Sequence, residues 1–217
     1  MNAMKTFATL IGDVVASRAQ IGRRGALHRR IEEALAEVNE HLSPVVPLRI
    51  TVGDEYQGCF TTVGQACHAS LVLRLALLPR YDVRHGIGWG AVTVLSESPR
   101  VEDGPAWWAA REAIEHAETT AGRAALRGTR TAYRRAPDTA GTDPDAVNAA
   151  LLCRDELVGN LSERSVILLR GLLGGRTQKD LAVELGVSAS ALSQRVRRDG
   201  LGTLLRSDEL LRKVGGQ

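Results

Sequence analysis

Hydrophobic positions along this chain change period several times, and each change marks an element. Residues 7–15 form a short β-rich apolar run with Gly12 and Asp13 near its end, which predicts a buried strand. Leu27, Ile31, Leu35, Val38 and Leu42 recur at helical spacing, and Pro44 and Pro47 end that helix. Residues 48–52 and 58–63 read as the two strands of a hairpin around Gly53-Asp54-Glu55-Tyr56-Gln57. Residues 65–78 predict a second helix, stopped by Pro79. Residues 81–95 alternate as a pair of strands broken by Gly86, Gly88 and Gly90. Gly104-Pro105 opens a third helix running to about residue 120, with proline in its first turn.

The order strand, helix, hairpin, helix, strands, helix matches a βαββαβ plan, the ferredoxin-like or palm arrangement. Residues 129–133 suggest a further short strand, residues 137–144 a linker and residues 145–158 a connecting helix. Helical periodicity returns at residues 162–173 and 203–214. Between these two, residues 177–196 read as two short helices joined at Gly186, the pattern of a DNA-binding helix-turn-helix. Thr177 caps the first helix, with Asp180 three residues on. Leu181, Leu185, Val187, Leu192 and Val196 supply its buried seam, and Ala182 is small where the helices pack. The expected fold is therefore α+β. A palm-like domain spans residues 1–136, a linker with its connecting helix 137–161, and an all-α helix-turn-helix domain 162–217.

Charge changes the picture of the C-terminal part. Residues 162–217 carry 10 Lys and Arg against 6 Asp and Glu, whereas residues 1–161 carry 18 against 19. The basic excess accompanies the helix-turn-helix, as a phosphate-binding module requires. Its second helix presents Ser188, Ser190, Ser193, Gln194 and Arg197 as base-edge readers, with Gln178, Arg195 and Arg198 toward phosphates; an ordinary helical hairpin with a wet face is the alternative. The 217 residues include an ordinary 44% of hydrophobic side chains, only 4% aromatic, so the core is aliphatic. No apolar run is long enough for a bilayer and no leader is visible. Three cysteines without metal-ligand spacing fit a reducing, cytoplasmic setting.

Candidate chemistry lies at two acidic points. Asp13 ends the first strand and Asp54-Glu55 occupies the hairpin tip. In a βαββαβ sheet the first strand is central, so the hairpin brings Asp54 alongside Asp13. Two carboxylates that close repel and call for a cation, Mg²⁺ being the obvious one, with the Val14 carbonyl as a further oxygen. Ser17, Arg18 and the start of the first helix, with Arg23 and Arg24 nearby, form a phosphate cradle. The alternative is plain turn chemistry at the hairpin tip and a helix-capping role for Asp13.

Four segments in order resemble the SatD family. They are Ile11-Gly12-Asp13-Val14-Val15-Ala16-Ser17-Arg18, Gly53-Asp54-Glu55-Tyr56-Gln57-Gly58, Arg84-His85-Gly86-Ile87-Gly88-Trp89-Gly90 and Gly104-Pro105-Ala106-Trp107-Trp108-Ala109-Ala110-Arg111-Glu112-Ala113. That resemblance implies a C-terminal helix-turn-helix. More distantly, Asp13-Val14-Val15-Ala16 is similar to the first-strand metal motif of class III nucleotidyl cyclases. Val52-Gly53-Asp54-Glu55-Tyr56 is similar to their metal hairpin and to the signature of diguanylate cyclases. This second resemblance implies metal-dependent nucleotide binding at Asp13, Val14, Asp54 and Glu55, with Ser17, Arg18, Gly53 and Arg111 toward the nucleotide.

The sequence also departs from the cyclases. Trp107 or Trp108 stands where they carry an Asn, and Arg111 is offset. Loss of such a donor is worth about 3 kcal/mol to a transition state. The two indoles, about 100° apart on a helix, are read as core or dimer packing, or as base-stacking groups. The favoured expectation is thus a homodimeric, DNA-binding transcription regulator that senses a nucleotide with Mg²⁺ and reads double-stranded DNA. A metal-dependent nucleotidyl cyclase or phosphoryl-transfer enzyme targeted by the helix-turn-helix is the alternative.

Overall fold

The computed structural model describes residues 5–16 and 24–215. Strand β1 (Thr6–Val14) lies between β3 (Glu55–Phe60) and β4 (Val83–Ala91), antiparallel to both, and β2 (Val46–Val52) pairs outside β3. Helices α1 (Arg24–Leu42) and α2 (Val63–Leu77) supply the crossovers. This is the expected βαββαβ arrangement. A fifth strand, β7 (Thr131–Arg135), extends it parallel to β4, giving the order β2-β3-β1-β4-β7.

Alternation along β1 sends Ala8, Leu10 and Val14 to the α1/α2 face, where they join Leu27, Ile31, Leu35 and Val38 of α1. Ile11 goes to the opposite face, against Trp107, Ala110 and Ile114 of α3 (Pro105–Ala121). The glycines expected to break residues 81–95 into two strands do not break them. They belong to one nine-residue strand, and a Cβ at Gly86 or Gly88 would lie 2.1 or 2.0 Å from the carbonyl oxygen of Ala110 or Ala106. Glycine here marks close backbone approach: α3 rests directly on β4. The Thr9 hydroxyl donates to the Ala106 carbonyl at 2.8 Å and pins the first turn of α3. The second strand of the expected pair is instead half of a separate ribbon, β5 (Thr93–Glu97) with β6 (Arg100–Asp103).

Helix α2 is buried all round, including His68, Ser70 and Arg74, so it needs cover on both sides. The sheet covers one side. The helices that follow cover the other: α4 (Pro144–Gly159), α5 (Glu163–Leu173), α6 (Gln178–Glu184), α7 (Ala189–Arg198) and α8 (Leu201–Leu211). Leu71 and Leu75 of α2 share one apolar cluster with Val166 and Leu169 of α5, Leu181 of α6, Leu192 of α7 and Leu204 of α8. His68 lies 2.8 Å from Asp208 of α8 within this contact. The C-terminal helices therefore share an apolar cluster with α2, one of the helices that cover the sheet. No described helix is long and apolar enough to cross a membrane.

The β4–α3 contact predicts opposite effects at two glycines. Gly88→Ala is expected to lower the unfolding free energy by about 3 kcal/mol, because the added methyl meets backbone that cannot yield. Gly202→Ala, in α8 with nothing within 4 Å of a new Cβ, is expected to raise it by about 0.5 kcal/mol. Urea unfolding of both variants checks the pair; equal effects would contradict the packing described.

Candidate functional site

The hairpin between β2 and β3 closes in two residues, Val52 pairing with Glu55, and Gly53 takes φ +65° at the turn. This turn reaches the C-terminal end of β1, where Asp54 Oδ2 accepts a hydrogen bond from the Val14 N–H at 3.1 Å. The N–H and C=O of one residue in an antiparallel strand point to the same side, so the Val14 carbonyl also faces the turn. Asp13, one residue back, projects to the α3 side. Its cross-strand neighbour Arg84 holds both carboxylate oxygens, at 3.1 and 3.2 Å. Arg84 also meets Glu118 of α3 at 2.8 Å. Glu55 is held in the same bidentate way by Arg111, about two turns earlier on α3, at 2.7 and 2.8 Å.

Four carboxylates thus face two guanidiniums, leaving a local excess of two negative charges. Burial raises the pKa of Asp13 above its ordinary value; Arg84 pulls it down, and Glu118 and Asp54 push it up again. Hydrogen bonding to Glu55 raises the pKa of Arg111 further. A bidentate Arg uses one lone pair on each carboxylate oxygen, so Asp13 retains acceptor capacity. Among the described residues no three Asp, Glu, His or Cys side chains are grouped to cage a metal ion. The donor set of Asp13, Asp54 and the Val14 carbonyl fits a hard cation that takes one or two carboxylates and draws its other oxygens from water and phosphate. Glu55, expected as a fourth ligand, is committed to Arg111.

On the α1 side, Asp54 and Gly53 line a cleft of about 600 Å³ with Arg24, Gly25, Leu27 and His28 at the start of α1. Ser17 and Arg18, expected in the phosphate cradle, lie outside the described residues, as does Arg23. Beneath the site, the ring of Tyr56 fills the space over Gly12, where a Cβ would come within 2.4 Å of it. The Tyr56 hydroxyl and His85 Nε2 share a hydrogen bond of 2.7 Å. Burial, with Arg154 and Arg74 adding to it, keeps that imidazole neutral and pushes its pKa down to about 3. Trp107 is buried against Ile11, while Trp108 is exposed and donates its indole N–H to Asp103 at 2.8 Å. Neither indole reaches the carboxylates by these bonds. Arg84 and Glu118 were not singled out from the sequence as site residues. Only the β1–β4 register and the seating of α3 bring them to Asp13.

In the helix-turn-helix segment, Thr177 accepts from the Asp180 N–H at 3.1 Å and Gly186 takes φ +63°. Leu181, Ala182 and Leu192 are buried, but Val187, expected in the seam, is 41% exposed. Gln178, Ser190, Gln194, Arg197 and Arg198 are exposed; Ser193 and Arg195 are half-buried. Ser188 is the N-cap of α7, its hydroxyl accepting from the Ala191 N–H at 3.1 Å. Its oxygen thus serves the helix as a cap, and its own O–H stays on the exposed side. Arg198 lies 2.7 Å from Asp199, which occupies part of the charge expected for phosphate.

A family model described as the SatD family matches residues 7–213. No curated protein matches the chain. Among solved structures, a bacterial light-regulated adenylyl cyclase is similar at TM-score 0.48 and 14% identity over 60% of this chain, which spans only 43% of that one. The guanylyl cyclase domain of the RhoGC fusion protein from the aquatic fungus Blastocladiella emersonii is similar at TM-score 0.44 and 14% identity, over 52% of this chain and 75% of that one. The catalytic core of a rhodopsin-guanylyl cyclase in complex with ATPαS is similar at TM-score 0.41 and 16% identity, over 53% and 76%. With TM-scores below 0.5, none of these likenesses bears on what this chain does.

The buried imidazole gives the molecule an acid-sensitive floor. Unfolded, His85 takes up its proton below about pH 6.5; folded, it stays neutral down to about 3. Stability from this group is therefore complete above pH 6.5 and falls as pH drops through that window, by up to about 1.4 kcal/mol per pH unit. Urea unfolding between pH 7.5 and 4.5 should show this slope in the native chain and a shallower one in His85→Gln. Parallel slopes would refute the assignment.

Proposed function

We propose that this chain, which belongs to the SatD family, binds a nucleoside triphosphate with Mg²⁺ at the end of β1, as a nucleotidyl-cyclase-like domain of the phosphoryl-transfer class. One observation carries the reading: the Val14 N–H holds Asp54 at the end of β1, one residue along the strand from Asp13, and Asp54 lines a cleft together with the start of α1. Asp13, Asp54 and the Val14 carbonyl would hold the cation. When bound, the cation neutralises phosphate charge and polarises a phosphoryl oxygen. Arg24 and the first N–H groups of α1 favour the phosphates, by charge and by the helix dipole. Gly53 keeps the tip narrow enough for close approach. Arg111 is pre-oriented by Glu55 and needs only to exchange one anionic partner for another.

Turnover is the less supported half of the reading, because Trp107 is packed in the core and Trp108 is bonded to Asp103. Neither offers the amide donor expected on α3. The test is a thermal-shift titration with ATP and GTP, with and without Mg²⁺, followed by assay for cyclic nucleotide and pyrophosphate. A ligand at 100 times its Kd stabilises by about 2.7 kcal/mol. The expected outcome is a shift that requires Mg²⁺ and disappears in Asp54→Ala. No shift in the native chain, or an undiminished one in Asp54→Ala, refutes the site.

The exposed face of α7 favours a second activity, regulation through double-stranded DNA. Ser190, Gln194 and Arg197 lie on its open side, and a homodimer would set two such helices about one turn of duplex apart. Arg197→Ala should weaken binding to a selected operator about tenfold, the size of one good base contact. Unchanged operator affinity in a gel-shift assay would count against this reading.

A further inference from the structure

A second cleft, on the other side of α1, gathers charge of the opposite sign. It has a volume of about 290 Å³ and is lined by Arg29, Arg30 and Glu33 of α1, by Ala76 and Leu77 at the C-terminal end of α2, by Arg80 and Tyr81 after it, and by Arg170 of α5. Four guanidiniums from three parts of the fold converge there. Two are already fixed. Arg30 donates to Glu33 at 3.0 Å and to the Ala76 carbonyl at 2.7 Å, and Arg170 donates to Glu37 at 2.6 Å. A third, Arg80, has its guanidinium carbon 5.5 Å from the centre of the Tyr81 ring. Arg29 and Arg80 have no acidic partner among the described residues. With Glu33 and Glu37 counted, the cleft keeps an excess of two positive charges. Carbonyl oxygens at the end of α2 oppose an anion there, and Arg30 already occupies that of Ala76. Tyr81 is only 3% exposed, yet its hydroxyl has no hydrogen-bond partner, which is uncommon for a buried polar group.

We propose that this cleft binds a small phosphate-bearing anion, at a site separate from the one at the end of β1. Guanidinium forks match phosphate oxygens in pairs. Three of the four are held in place by their own contacts, so little side-chain freedom is lost on binding. The volume is at the low end for ligand clefts and suits phosphate, pyrophosphate or a phosphate monoester. Because Arg170 belongs to α5 and the other three to α1 and the segment after α2, the bound anion clamps the C-terminal helices onto the sheet layer.

The experiment uses the full chain in EDTA, which removes divalent cations and silences the Mg²⁺-dependent site. Inorganic phosphate and pyrophosphate are titrated in a thermal-shift assay against KCl of matched ionic strength. Pyrophosphate is expected to raise Tm saturably and KCl is not. The exposed pair Arg29→Gln/Arg80→Gln should weaken the apparent affinity at least tenfold while leaving Tm without anion near that of the native chain. Asp54→Asn should bind pyrophosphate as the native chain does. An unchanged affinity in the double variant, or a shift that KCl reproduces, overturns the proposal. So does loss of the shift in Asp54→Asn, which would move pyrophosphate to the end of β1 and leave the nucleotide reading standing.

Discussion

Contact between α3 and a strand that presents glycine to it is the constraint on which the rest of this structure depends. Gly86, Gly88 and Gly90, at alternate positions of β4, leave one face of that strand bare of side chains beyond Arg84. Alanines 106, 110 and 113 of α3 are buried at 0% exposure against the sheet. The helix axis can then approach to backbone contact, so the second face of the sheet is closed by a single helix. A helix seated so closely has little freedom to rotate or slide. Two of its charged residues are placed with corresponding accuracy: Arg111 on Glu55, and Glu118 on Arg84. The electrostatics of the β1 end are thus a consequence of packing two turns away.

Behind the opposite face, the chain uses buried charge where a smaller protein would use more apolar surface. Asp82 accepts from Arg74 at 2.8 Å and from Arg130 at 2.6 Å, and these two guanidiniums outweigh its burial and hold its pKa below the usual carboxylate range. Asp155 of α4 accepts from the backbone N–H groups of Arg130 and Thr131 at 2.8 and 2.6 Å. Arg154 reaches the Cys67 carbonyl, the Ser70 hydroxyl and the Thr131 hydroxyl from the same helix. Removing one member of such a network strands a buried charge, which is far more damaging than the net worth of the pair. The network ties α2, β7 and α4 into one unit. Asn148 completes it by pairing with both backbone groups of Tyr133, at 2.8 and 2.9 Å, which occupies the open edge of β7.

Much of this architecture is legible in residue order. The stripe Leu27, Ile31, Leu35, Val38 marks α1, and all four are buried. Thr177 with Asp180 marks the start of α6, and Gly186 the turn from α6 to α7, through capping and a left-handed turn, both properties of single residues. The glycines of β4 misled because a glycine that interrupts a strand and one that admits a neighbouring helix look alike in one dimension. Val187 misled because a seam position near a turn is buried only if the next layer reaches it. The capping role of Ser188 follows from its place at the start of α7. Helix α2, mostly apolar on every side, needs a second layer, and the C-terminal helices supply it.

The sequence by itself determined the βαββαβ order of the first elements, the central place of β1 and the arrival of the Asp54 turn at the end of β1. Those follow from local periodicity and from the few topologies a βαββαβ chain can take. Only the tertiary structure decided which charges would neutralise which carboxylates, that Trp107 is core and Trp108 surface, and that four arginines from distant segments share one cleft. Such pairings depend on strand register, on the rotation of a helix about its own axis and on the docking of one layer on another. These are set by long-range packing, and no window of residues along the chain encodes them.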